Sequence, residues 1–106
     1  MAQPQPNILQ LAKQGNPKAI ATIINRQLEP KGIIAQVDLK DNCLQILIEA
    51  IQLPPQHIIV EYFRKSFKHL GATAIKTIKV YGKRRGEVFF EWHELFDLVE
   101  VPGQQG

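Results

Sequence analysis

Apolar positions along the chain change period several times, and each change marks an element. In residues 17–28, Ile20, Ile23, Ile24 and Leu28 recur at spacings of three and four, the stripe of an amphipathic helix, with Lys18 and Arg26 left to solvent. Ahead of it, ILQLAKQ after Asn7 is a short helix through Lys13 that Gly15 can stop, and Asn16-Pro17 supplies an N-cap and a proline at the first helical position. Pro30 forbids continuation. From Ile33 the period falls to two: Ile33, Ala35, Val37 and Leu39 alternate with Ile34, Gln36, Asp38 and Lys40, and CLQILIEA follows Asp41-Asn42. A two-residue turn there sets Leu39 against Leu44, Val37 against Ile46 and Ala35 against Ile48, all on one apolar face, so turn chemistry and pattern specify the same β-hairpin.

Leu53-Pro54-Pro55 breaks the second strand, and from Gln56 the residues Ile59, Tyr62, Phe63, Phe67 and Leu70 return to helical spacing until Gly71. Arg64, Lys65, Lys68 and His69 crowd the end of this helix, where positive charge complements the carbonyl end of the dipole. A third strand is expected around Ala74 to Tyr81, with Ile78 and Val80 inward and Lys79 and Tyr81 outward. After the loop Gly82 to Gly86, the run EVFFEWHELFDLV satisfies both a strand and a helix period; a turn followed by a strand is the reading preferred. Its aromatics Phe89, Phe90, Trp92 and Phe96 either complete the core, the expected outcome, or leave a partner-binding patch.

The order helix, strand, strand, helix, strand, strand defines an α+β, αββαββ two-layer sandwich. It resembles a circularly permuted ferredoxin-like fold, with both helices on one face and sheet order 3-4-2-1. A KH-like arrangement is the rival, but no GxxG stands between helices. The 106 residues, 44% of them hydrophobic, suit one domain. Its expected extent is residues 7–101, with disordered tails at 1–6 and 102–106.

Composition narrows the chemistry. With a single cysteine, Cys43, no internal disulfide can form, and a reducing cytoplasm fits best. Met1 to Asn7 has neither the charged nor the apolar region of an export signal, and no apolar run approaches membrane-spanning length. His57, His69 and His93 lack a Cys or Asp at ligand spacing, so no metal and no cofactor is expected. Cys43 with His93 could form a nucleophile and base only if the fold joined them. Glu91 and Glu94 have no neighbour to separate their pKa values for acid–base work. Gly82 and Gly86 lack the lysine and serine of a phosphate loop. No catalytic residue is assigned, and the chain reads as a non-enzyme.

Net charge is only +3, but the charges are segregated. Arg64, Lys65, Lys68, Lys76, Lys79, Lys83, Arg84 and Arg85 are uninterrupted by acid, whereas Glu87, Glu91, Glu94, Asp97 and Glu100 are uninterrupted by cations. One reading makes Arg64, Lys65, Lys68, Lys79, Lys83, Arg84 and Arg85 a phosphate-binding patch, with Tyr81 or Phe90 available for base stacking. The other, preferred because nucleic-acid domains usually carry a larger excess, has the basic and acidic strands neutralise each other.

The runs ILQLAKQGNPKAIATIINRQLEPKGI, LKDNCLQILIEA and IKTIKVYGKRRGE, with Trp92 and Phe96 beyond them, are together similar to a small cyanobacterial α/β domain family of uncharacterised function, over Asn7 to Leu98. Members stand alone or fused to other modules, so the resemblance implies a cytoplasmic accessory or interaction role and no catalytic residues. The expected function is a non-enzymatic protein-interaction or regulatory module. It would present Ile34, Phe90 and Trp92 to a protein partner, a second copy of the chain being one candidate, with no membrane and no small-molecule substrate. RNA or DNA binding through residues 64–85 is the alternative.

Overall fold

The computed structural model describes residues 7–98; the tails expected at 1–6 and 102–106, the domain's end at 101, and Glu100 lie outside the described residues. Helix α1 (Ile8–Lys13) is capped by Asn7, whose side-chain oxygen accepts the Leu9 N–H at 2.9 Å. Asn16 does the same for α2 (Pro17–Leu28), accepting the Ala19 N–H at 3.0 Å. Gly15 between them takes φ 87°, a left-handed conformation that a side chain would strain. Pro30 ends α2 in a single 3₁₀ turn, Glu29–Lys31.

The hairpin β1 (Ile33–Lys40) and β2 (Cys43–Ala50) forms in the expected register, Leu39 opposite Leu44, Val37 opposite Ile46 and Ala35 opposite Ile48. Helix α3 (Gln56–Leu70) stops at Gly71, φ 70°. Strand β3 (Thr77–Arg84) begins later than the apolar pattern implied and runs through Gly82 to Arg84. The final segment is a strand, β4 (Trp92–Asp97), antiparallel to β3.

Sheet order is β1-β2-β3-β4, not the expected 3-4-2-1, so the permuted ferredoxin-like arrangement does not describe this sheet. β3 runs parallel to β2, reached by the α3 crossover, and β4 lies outside it. Burial explains the exchange. Ile78 and Val80 of β3 are completely buried, as a central strand requires, whereas the six-residue β4 carries His93, Glu94 and Asp97, and a short charged strand suits an edge. The described helices pack on one sheet face, giving two layers around one core that includes Ile20, Ile24, Leu44, Ile46, Ile48 and Phe63. No helix among the described residues is long and apolar enough to cross a membrane.

The sheet's two outer edges are treated differently. On β1, Asn25 of α2 accepts the Ala35 N–H at 2.8 Å and donates to the Ala35 carbonyl at 3.0 Å. One amide side chain thus occupies a backbone donor and acceptor that would otherwise face solvent or another strand.

Candidate functional site

Alternation along the strands gives the sheet a second face that no helix among the described residues covers. Tyr81 lies at its centre, opposite Leu47 on β2 and His93 on β4. Residues 85–91, which connect β3 to β4, lie against one end of the sheet. The Arg85 N–H donates to the Ala50 carbonyl at 2.9 Å, the Glu87 N–H to the Arg84 carbonyl at 3.1 Å, and the Glu91 N–H to the Gly82 carbonyl at 2.7 Å. Arg84 and Glu91 form an ion pair across the same connection.

This arrangement sorts the C-terminal aromatics into two groups. Trp92 lies over Gly82, so close that a Cβ at position 82 would overlap the indole, and packs half-buried on the core side of the sheet. Phe96 is buried. Trp92, expected with the other C-terminal aromatics to complete the core and also offered as a partner-binding residue, is partly buried against the core. Phe89 and Phe90 do not complete the core: the connection turns them outward, leaving Val88 81%, Phe89 80% and Phe90 50% exposed, an exposure that the partner-binding and base-stacking readings expected of Phe90. The Phe90 ring stands 4.8 Å from that of Tyr81, which also meets the His93 ring at 6.0 Å and the Lys79 ammonium at 5.3 Å. Ile34 and Leu95 are exposed on the same open face, as expected for Ile34.

The seven cations of the phosphate-binding reading do not form one patch. Arg64, Lys65 and Lys68 belong to α3 in the helix layer, and Arg64 lies over the Phe96 ring, 4.7 Å from its centre, with Glu61 at 3.7 Å. Lys79 and Lys83 project from the opposite side of the sheet, and Arg84 and Arg85 lie at its end. Lys83 pairs with Glu49 of β2 at 3.0 Å, and Arg84 with Glu91. Neutralisation thus draws on β2 as well as on the acidic C-terminal segment. The alternation pattern held the signal for this, since Glu49 and Lys83 both point away from the core.

The chemical constellations are not assembled. Cys43 shares a cross-strand row with Thr77 and Asp97, whereas His93 shares one with Tyr81 and Leu47, so the two are separated along and across the sheet. His57 and His69 are exposed at opposite ends of α3. Glu91 is engaged by Arg84, and Glu94 accepts from Gln56 at 2.6 Å. No group of three His, Cys, Asp or Glu side chains gathers among the described residues. The fold and surface define a small two-layer α+β domain with one open sheet face. No protein-family model matches the chain, nor does any curated protein or solved structure. The resemblance to a small cyanobacterial domain rests on the sequence runs alone.

Proposed function

We propose that this is a non-enzymatic protein-interaction module, regulatory or accessory in role, whose contact surface is the 85–91 connection with the adjoining open face. The supporting observation is the exposure of Val88 and Phe89, 81% and 80%, on a connection tied down by three backbone hydrogen bonds. Covering an apolar side chain of this size contributes roughly 1.5–3 kcal/mol, so two neighbours on a pre-ordered loop form an effective anchor. Charge on this face is largely matched, through Lys83 with Glu49 and Arg84 with Glu91, which suits a protein surface better than a phosphate backbone. The test is recovery of complexes by the native domain and by a Val88→Ser/Phe89→Ser variant, between about 50 and about 200 mM salt. Recovery that survives salt and is lost in the variant supports the proposal; recovery that the variant retains refutes it.

A second reading, single-stranded nucleic acid on the open face, is favoured by one observation, the cluster of Tyr81, Phe90, His93 and Lys79. It requires salt-steep anisotropy changes with labelled RNA or DNA that disappear on replacing Lys79 and Arg85 by Ala.

A further inference from the structure

Away from the open face, the three helices leave a groove of about 310 Å³, at the lower end of the roughly 300–1,000 Å³ typical of small-molecule sites. Its wall is apolar, formed by Ile20, Ile23, Ile24, Phe67 and Leu70, with the exposed Leu9 at its margin. The polar groups along it fall into two sets. Tyr62 donates its hydroxyl to the Gln27 side-chain oxygen and is hydrogen-bonded by Ser66, so those three satisfy one another. Lys13 and His69, in the last turns of α1 and α3, supply further donors, and no Asp or Glu among the described residues lines the groove.

We propose that this groove binds a single-chain amphiphilic carboxylate, its alkyl chain along the Ile23 and Phe67 wall and its headgroup between the Lys13 ammonium and the His69 imidazole. The occupant follows from charge complementarity: an apolar trough bounded by the Lys13 ammonium and the His69 imidazole, with no carboxylate among its described lining residues, accepts an anionic head more readily than a cationic one. Both donors stand at helix C-termini, whose carbonyl ends favour cations and so oppose an anionic head, which keeps the discrimination modest.

The test is a ¹⁵N–¹H titration of the whole chain with decanoate, decanol and decyltrimethylammonium, each below its micelle concentration. Decanoate is expected to give saturable shifts at Ala12, Ile23 and Phe67 and to bind about threefold to tenfold more tightly than the other two. Lys13→Gln with His69→Gln, both surface changes, should erase that preference while shift dispersion stays native. Ile23→Trp should fill the groove and abolish binding by all three; if that variant fails to fold, the double glutamine variant still decides. Absence of saturable shifts, shifts located on the open sheet face, or equal affinity for the three headgroups would overturn the proposal.

Discussion

The molecule contains two antiparallel hairpins built on the same ladder geometry and closed in opposite ways. β1 and β2 meet through Asp41-Asn42, and the turn is locked further by the Asn42 carbonyl, which accepts from Lys76 at 2.9 Å and Thr77 at 3.3 Å. β3 and β4 are joined through residues 85–91, which direct Val88, Phe89 and Phe90 to solvent. In the first hairpin the apolar residues Leu44, Ile46 and Ile48 are completely buried; in the second, burial is confined to Ile78, Val80, Gly82 and Phe96, and the tip remains apolar and uncovered. The edges repeat the contrast, since Asn25 occupies backbone groups of β1 while β4 relies on short length and charge. One half of the sheet thus uses its apolar residues to hold the fold, and the other leaves part of them available for contact.

Truncation should separate the two most sharply. Leu44→Ala in the first hairpin is expected to cost about 2–5 kcal/mol in urea denaturation, whereas Phe89→Ala at the second tip should stay within about 0.5 kcal/mol. Equal losses would dissolve the distinction. Next in size are the devices that hold each hairpin in place. Gly82→Ala pushes a Cβ into the Trp92 ring and should cost about 1–3 kcal/mol, and Asn25→Ala removes both hydrogen bonds to the part-buried Ala35 backbone at a cost of about 1–2 kcal/mol. Thermal melts of both variants check these values. Asp41 holds φ 56°, so Asp41→Gly should stabilise the first turn by at most about 1 kcal/mol, relief of left-handed strain being partly offset by unfolded-chain entropy.

The smallest effect is alkaline. Burial raises the Tyr62 hydroxyl above its ordinary value of 10.0, against a lesser lowering by the Ser66 hydrogen bond. The folded state therefore favours the neutral phenol, and this contribution is whole below pH 10.0 and lost as pH rises through the elevated native value. Urea midpoints measured from neutral to alkaline pH should fall faster for the native chain than for Tyr62→Phe.

The same contrast explains what could be read from sequence. Asn7, Gly15, Asn16-Pro17, Asp41-Asn42 and Gly71 each act locally, through a cap or a φ value, and the two-residue period of the first hairpin allowed one register; those elements formed as the pattern implied. Sheet order did not follow, because it depends on which strand can be surrounded. The deciding facts, complete burial of Ile78 and Val80 beside the charged β4, are tertiary. The aromatic run 89–92 offered no period that distinguished inward from outward residues: Trp92 packs because Gly82 leaves room for it, two strand residues that meet only after β3 and β4 pair. Likewise, the basic run in sequence separated in space because α3 and β3 lie in different layers.

The most direct measurement places a photo-cross-linking amino acid at position 42 or position 89, the exposed tips of the two hairpins, in otherwise native protein inside cells. The account predicts discrete protein adducts from position 89, abolished by Val88→Ser, and none from position 42. Equal adducts from both tips, or none from position 89, would contradict it.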